Sequence, residues 1–404
     1  MSAARPRLDH GPSSLTRVVH ENTARHGLAP YRLAEVDPIR SAMASDVAPF
    51  AITDPTEVPT YGDSVLSRWC RRALYDPRDE VFVRLSIRNI GVMALAMTGL
   101  FAYFHWGLAV AYIALWGWLA PPVILMLHCT MHRPFIRTPR WLNRVHVYAM
   151  TFFFGIPVGY AQHHLGMHHV EDNMPSDVSS TMRYRRDSFA HFLLYFGRFL
   201  FAGIFELTVY LVGKRRLAMA RRAVIGEVVQ LAIISAAVAI HVRFALVAFV
   251  FPFVAVRFMM MVGNWGQHAF LNRARPNGGI SNSITCINTS YNWRAFNDGY
   301  HIGHHLRANL HWTLLPQDLL VNRERYAREG AIVFEGLDFF LVSLLLWTRN
   351  YRLLARRFVR LDDQPRCDAD IVRMLRERVQ PIRTGFVQVG DPAGGAVLPS
   401  ETEV

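Results

Sequence analysis

Two pairs of long apolar runs occupy the middle of this chain and restrict it to a helical, membrane-embedded fold. The runs cover about residues 89–105, 108–127, 224–240 and 244–262. Short turns at Trp106-Gly107 and at His241-Val242-Arg243 join the two runs of each pair. Runs of this length approach or reach the span of a bilayer, and backbone groups in lipid must be satisfied within the segment. The sequence therefore predicts an all-α integral membrane protein with four transmembrane helices in two hairpins.

Basic residues flank the outer ends of both hairpins, whereas the first turn carries none. The flanking residues include Arg84, Arg88, Arg133, Arg137, Lys214, Arg215, Arg273 and Arg275. By the positive-inside rule, the outer ends of both hairpins face the cytoplasm. The net charge of +13 suits anionic headgroups, an acidic redox partner or a phosphorylated substrate carrier. A nucleic-acid partner is not expected, because the basic residues border apolar runs and are not interleaved with aromatic residues.

Nine of the 18 histidines lie in three short boxes and at the end of the fourth apolar run. They are His128, His132, His164, His168, His169, His268, His301, His304 and His305. Imidazole is a ligand for iron, zinc and copper. Nine imidazoles exceed the four positions of a tetrahedral zinc ion, so the number of histidines indicates two metal ions. The four cysteines form no C-x-x-C pair, which favours iron over a thiolate-bound zinc.

The first and third boxes have helical spacing. His128 and His132 lie four residues apart, so one helix face carries both. His301, His304 and His305 have the spacing i, i+3 and i+4, which again predicts a single face.

The second box is less regular. His164 and His168 share a face on an ideal helix, whereas His169 lies about 100° round from His168. Either His169 reaches a different metal ion or the helix is distorted. His163 is an alternative to His164 as the ligand.

Asn264 and His268 lie four residues apart at the end of the fourth run. The same helix face therefore presents an amide and an imidazole. The Asn264 amide either binds a metal through water or caps the helix. Both residues are included in the predicted metal site. The other histidines, His10, His20, His26, His105, His146, His191, His241 and His311, are left out of it.

Two further apolar stretches are not expected to span the membrane. The stretch Phe192–Val212 includes Arg198 and Glu206, and a fifth span here would place the second and third boxes on opposite sides of the bilayer. The stretch Leu337–Trp347 is too short to span. We expect both to lie at the membrane interface.

The termini differ in composition from the centre. Residues 1–60 are rich in Pro, Ser, Ala and Arg without a sustained period, which is typical of a disordered tail. Residues 351–404 are charged and then Gly- and Pro-rich, and are expected to fray from about residue 380. One domain over residues 61–350 is therefore predicted between two tails.

The order H-x3-H, H-x3-HH and H-x2-HH, placed after and between the hairpins, resembles the membrane fatty acid desaturase family over about residues 88–320. The strings His168-His169-Val170-Glu171-Asp172-Asn173 and Asn297-Asp298-Gly299-Tyr300-His301 strengthen the resemblance. Asn264 and His268 are similar to an extra asparagine and histidine of acyl-CoA desaturases. The resemblance implies a four-span bundle with a cytoplasmic helical cap that holds two iron ions. It also implies that O2 and two external electrons remove two hydrogens from a fatty acyl chain.

Other expectations concern partners and site residues. No His-Pro-Gly-Gly string of a fused cytochrome b5 occurs, so the electrons are expected from a separate cytochrome b5 or ferredoxin-type protein. The second box has three residues between its first two histidines, where acyl-CoA desaturases have two, so the substrate is a fatty acyl lipid or an acyl-CoA. Asp172, Asp298 and Glu171 are candidates to orient the ligand imidazoles.

Two alternatives remain open. The same scaffold supports lipid or carotenoid hydroxylation and ketolation, and a non-catalytic metal-binding membrane protein is the alternative from another class. The expected location is the endoplasmic reticulum membrane in a eukaryote or the inner membrane in a bacterium.

Overall fold

The computed structural model describes residues 50–362 and 366–382, and in these ranges the fold is mostly helical. The helices of the first half are α1 (Val65–Ala73), α2 (Glu80–Ala102), α3 (Trp106–His132), α4 (Leu142–Phe154), α5 (Tyr160–His163), the π-helix π1 (His164–His168), α6 (His169–Glu171) and α7 (Phe189–Gly213). A 3-10 turn at Pro77–Asp79 leads directly into α2.

The second half contains one long hairpin followed by short elements. They are α8 (Leu217–Ile240), α9 (Val242–Ala245), the π-helix π2 (Leu246–Val250), α10 (Phe251–Gln267), β1 (Ile284–Ile287), α11 (Ser290–Arg294), α12 (His301–Leu306), α13 (Leu315–Val321), α14 (Arg323–Arg328), β2 (Ile332–Glu335), α15 (Phe339–Trp347), α16 (Tyr351–Arg356) and α17 (Asp368–Arg378). A 3-10 turn at Trp312–Leu314 precedes α13.

The expectation of an all-α fold is wrong at one small sheet. Strands β1 and β2 pair in parallel, with Ile284 opposite Ile332 and Ile287 opposite Glu335. Both strands are short and almost wholly buried, which is the usual setting of parallel pairing. Apolar runs of four residues have no period by which a strand is distinguished from a buried helical turn.

The long helices extend beyond the predicted spans. Helix α2, which contains the first predicted span, begins at Glu80 and ends at Ala102, so the first turn lies at residues 103–105 and not at Trp106-Gly107. Helix α8, which contains the third predicted span, begins at Leu217, seven residues before the predicted start at residue 224. Hydropathy marks only the apolar part of a helix, whereas the arginine-bearing turns at its end continue the same backbone hydrogen bonding.

Five helical stretches in the described part of the chain are long and apolar enough to cross a membrane. Four of them, Pro77–Ala102, Trp106–His132, Leu217–Ile240 and Val242–Gln267, correspond to the predicted hairpins. The fifth, Phe189–Gly213, contains the stretch that was expected to lie at the interface. The four-span topology therefore stays a prediction.

The long helices expose large apolar side chains. Leu95 of α2, Phe201 of α7 and Ile240 of α8 are each about three-quarters exposed (74–78%). Contiguous exposed apolar surface on a protein marks a binding or membrane-contacting surface. The exposed faces of these helices fit contact with lipid chains.

Packing extends into both segments that were predicted as tails. Asp54 is buried and accepts a hydrogen bond from the Tyr300 hydroxyl (2.7 Å). At the other end, Arg186 is fully buried and donates to six carbonyl oxygens, including those of Arg378 and Gln380 beside α17. Burial lowers the pKa of Arg186 to about 9. Residues 1–49 and 383–404, and the predictions made for them, lie outside the described residues.

Candidate metal centre

The eight box histidines and His268 converge in two groups of side chains. The five-histidine group consists of His128, His132, His164, His169 and His304. The four-histidine group consists of His168, His268, His301 and His305. Within each group the donor atoms all lie within 4.8 Å of one another. Eight of the nine side chains are buried, and His304 is partly buried.

The first box lies in the last turn of α3 and belongs entirely to the five-histidine group. His128 and His132 are one helical turn apart, as the sequence predicted, and their ring centroids are 5.3 Å apart. Both imidazoles therefore lie at the end of the apolar helix α3, next to histidines of the other two boxes.

The second box is divided between the groups by the π-helix. His164 and His169 are five residues apart, and their Nε2 atoms lie 3.0 Å apart in the five-histidine group. His168 belongs to the four-histidine group. A π-helix aligns residues i and i+5, so the expectation that His164 and His168 act on one face is wrong. Of the two outcomes foreseen for His169, the distortion of the helix occurs, and it brings His169 together with His164 while His168 joins the other group.

The third box is also divided, which corrects the prediction of a single face. His301 and His305 join the four-histidine group, whereas His304 joins the five-histidine group. Viewed down an α-helix, His305 is rotated about 40° from His301 in one direction, and His304 is rotated about 60° from His301 in the opposite direction. The short helix α12 therefore lies between the two groups and supplies both.

The donor nitrogens are spaced closely, at or slightly below the separation expected around a bound metal ion. Neighbouring Nε2 atoms are 2.8 Å apart for His128 and His304, 2.9 Å for His164 and His132, and 3.3 Å for His301 and His268. A metal ion held at roughly 2.1 Å separates adjacent donor nitrogens by roughly 3.0–3.4 Å. The buried Nε2 of His305 has no hydrogen-bond partner in the described structure. These donors fit one metal ion per group.

Burial keeps the imidazoles in the form that binds metals. It lowers the pKa of His164, His169, His301 and His304 well below the usual value, and neighbouring imidazoles lower it further. Burial also lowers the pKa of His268 to about 3. A neutral ring has one nitrogen with a free lone pair, which is the metal-binding form.

Four rings have a partner that fixes which nitrogen carries the proton. The Nδ1 atoms of His128, His168 and His305 lie 3.1, 2.7 and 2.9 Å from the carboxylates of Asp298, Asp177 and Asp172. The Nδ1 of His268 donates to the carbonyl oxygen of Asn282 (2.8 Å). With the proton on Nδ1, each Nε2 has its lone pair free for a metal, the usual arrangement in histidine metal sites.

The carboxylates differ in how well the sequence indicated them. Asp172 and Asp298 contact ligand-type imidazoles as expected. Glu171 does not, because its carboxylate accepts from Tyr210 (2.5 Å) and pairs with Lys214 (3.2 Å). Asp177 was missed, since it lies in a non-helical segment where no spacing relates it to His168.

Asn264 and His163 lie beside the groups and make other contacts. The Asn264 amide nitrogen donates to the carbonyl oxygen of Ser179 (2.9 Å) and to the Tyr195 hydroxyl (2.8 Å), so its side chain does not cap the helix. His163 is absent from both groups, and His164 supplies the donor. The described histidines that were left out of the site, His105, His146, His191, His241 and His311, also lie outside both groups.

A family model described as Fatty acid desaturase matches residues 105–336, which is more than half of the chain. The chain belongs to the fatty acid desaturase family. The chain matches no curated protein and no solved structure. The match spans all three histidine boxes and His268. Membership of this family identifies the chain as a membrane oxidoreductase of lipid metabolism. The two histidine groups identify it as a metal-binding protein.

Proposed function

We propose that the protein is an O2-dependent fatty acyl desaturase that uses two iron ions and external electrons to introduce a double bond. One observation carries the proposal: nine imidazoles from distant segments meet in two buried groups beside long apolar helices. All nine histidines are proposed as ligands, and Asn264 as a ligand through water. Iron is favoured over zinc because nitrogen donors are numerous and no cysteine joins either group in the described chain.

The reaction explains why such a site is needed. A methylene group has no acidic proton, so side-chain acid–base chemistry alone does not remove its hydrogens. The balanced change is R–CH2–CH2–R plus O2, two electrons and two protons, giving R–CH=CH–R and two waters. Bound iron supplies the oxidising chemistry with O2, and the protein supplies binding and orientation.

The residues of the chain hold and shape the site. The nine imidazoles would hold the two metal ions, and carboxylates such as Asp177 keep the proton of the ligand ring on Nδ1. Burial opposes the ionisation of Asp177, but its interactions with His168, His163 and Ser179 together offset this and hold the pKa of Asp177 below its ordinary value. The carboxylate therefore stays an acceptor over the physiological pH range.

Substrate and electrons are proposed to arrive by different routes. An acyl chain from a lipid or an acyl-CoA passes from the bilayer between the long helices to the histidine groups at their ends. By the positive-inside rule, the arginine-rich flanks support a cytoplasmic location for these ends. A separate cytochrome b5 or ferredoxin-type protein delivers the electrons there, and basic surface favours an acidic donor.

Product analysis tests the proposal. The chain is expressed in a host fed with saturated fatty acids, and the lipids are analysed by gas chromatography and mass spectrometry. A new double bond without retained oxygen supports desaturation. A hydroxyl or keto product shows hydroxylase or ketolase chemistry instead. Absence of any O2-dependent product, together with metal bound to the purified protein, indicates a non-catalytic metal-binding protein.

A further inference from the structure

A cavity of about 60 Å³ lies between the second histidine box and three long helices. Phe199, Ile204 and Leu207 of α7 and Met260 of α10 give it an apolar wall. A single water needs about 10–15 Å³ of such space, so the cavity has room for several waters or a short length of lipid chain.

One end of the cavity adjoins the five-histidine group. Tyr160 and His163 line it, and the Tyr160 ring centroid lies 5.3 Å from that of His164. The Tyr160 ring thus lies between a molecule in the cavity and the imidazole of His164. The cavity is therefore placed where a substrate of the histidine groups would extend.

The cavity also contains an ion pair between two helices of span length. Nη2 of Arg257 in α10 donates to both carboxylate oxygens of Glu227 in α8, each at 2.9 Å. The two side chains are only 5% and 17% exposed. Ionisable residues inside apolar spans are costly and usually mark a functional site. Apolar residues of similar size often match or exceed the stability that a buried ion pair contributes, so packing alone does not explain this pair.

The pair keeps hydrogen-bonding capacity for a ligand. Among the described residues, the Nε of Arg257 has no acceptor, and each oxygen of Glu227 receives one hydrogen bond from Arg257 and can accept another. The two charges cancel, so neither an anion nor a cation is favoured. A hydroxyl group both accepts from a guanidinium and donates to a carboxylate. A carbonyl group accepts from the guanidinium but cannot donate to the carboxylate, and a methylene group does neither.

We propose that this cavity binds a long-chain lipid that carries a hydroxyl group, with the hydroxyl bonded to Glu227 and Arg257 and the chain continuing past Tyr160 to the histidine groups. The proposal rests on the proposed function and names its substrate class.

Equilibrium binding to the purified full chain in nanodiscs tests the proposal. The probes are the methyl esters of hydroxylated octadecanoic acids, as positional isomers, and methyl octadecanoate, so none carries a charged head. We expect at least one hydroxylated isomer to bind about tenfold or more tightly than the unsubstituted ester, as for a hydrogen bond to a charged group. The double variant Arg257→Met/Glu227→Met loses this preference.

Two further variants complete the design. The double variant Arg198→Met/Glu206→Met removes an ion pair within α7 that does not line the cavity, and it keeps the preference. The variant Gly203→Leu fills the cavity from α7. The three atoms nearest to a Cβ added there all belong to the Phe199 ring, at 3.6 Å or more, so the variant is expected to fold and to bind every probe weakly.

The outcomes separate this proposal from the proposed function. Equal binding of all probes to the unaltered protein overturns the hydroxyl proposal, as does a preference that survives Arg257→Met/Glu227→Met. Undiminished binding to Gly203→Leu shows that the cavity is not the binding site. The proposed function fails separately, when no probe yields an O2-dependent product even though the binding preference is present.

Discussion

Replacing Asp177 by asparagine should remove metal from the four-histidine group while leaving the fold intact. Asp177 is fully buried, and its two oxygens have different partners. Oδ1 accepts from the backbone N–H (2.8 Å) and the hydroxyl (2.7 Å) of Ser179, and Oδ2 lies 2.7 Å from Nδ1 of His168. In Asp177→Asn, the amide oxygen stays with the two Ser179 donors, so the amide nitrogen faces His168.

The tautomer of His168 then changes. An amide nitrogen only donates, so Nδ1 must accept and the ring proton moves to Nε2, which no longer has a lone pair for metal. Loss of such a partner typically costs 10–100-fold in metal affinity, about 1.4–2.7 kcal/mol. Loss of a hydrogen bond to a charged group gives a similar figure, about 1.5–3 kcal/mol.

Metal analysis of the purified protein and competition with a chelator measure the effect. We expect metal to be lost from the four-histidine group and kept in the five-histidine group, with an unchanged elution volume on size exclusion. Glu171→Gln is the matched control, because Glu171 is two residues from His169 but bonds Tyr210 and Lys214. Full metal content and unchanged affinity in Asp177→Asn would refute the tautomer argument.

The remaining predictions concern the site and its support. His304→Ala should abolish product formation while membrane insertion persists, and measurable turnover would contradict a ligand role. His146→Ala should keep its metal and activity, because His146 contacts Ser86 (3.0 Å) and lies outside both groups; total loss of activity would show that the proposed ligand set is incomplete. Arg186→Lys should cost about 3–5 kcal/mol, since three ammonium donors cannot satisfy six buried carbonyls; an unchanged thermal midpoint in detergent would argue against this clamp. Gly299→Ala should destabilise the protein by about 1–3 kcal/mol, because a Cβ there overlaps Asn292 and the carbonyl of Cys286; unaltered stability to heating would exclude that overlap.

The sequence predicted the parts of the site that are local. The three boxes and His268 follow from spacing and from their position at the ends of apolar runs, and the structure brings all nine histidines together. The pairing of His164 with His169 was not predicted, because an ideal helix was assumed where a π-helix occurs. The third box was predicted to act as one face, although on the α-helix α12 the small angular offset of His304 from His301 is enough to bring it into the other group. Asp177 and Asn282 could not be predicted, since their contacts with His168 and His268 depend on how loops pack in three dimensions.

The fold was predicted in outline only. Hydropathy located four long helices but not their arginine-bearing ends. The stretch that was expected at the interface lies in Phe189–Gly213, which is also long and apolar enough to span. The parallel pairing of β1 and β2 joins segments more than 40 residues apart, and no local pattern encodes such contacts.

The π-helical segment of the second box has a consequence for comparing related chains. Acyl-CoA desaturases have one residue fewer between the first two histidines of this box. On an α-helix, that shorter box aligns its first and third imidazoles at i and i+4, and the π-helix aligns His164 and His169 at i and i+5. The additional residue is thus accommodated as a local bulge that brings His164 and His169 into one group. A box of this length and a box one residue shorter are therefore both compatible with first and third imidazoles that share a metal-type group.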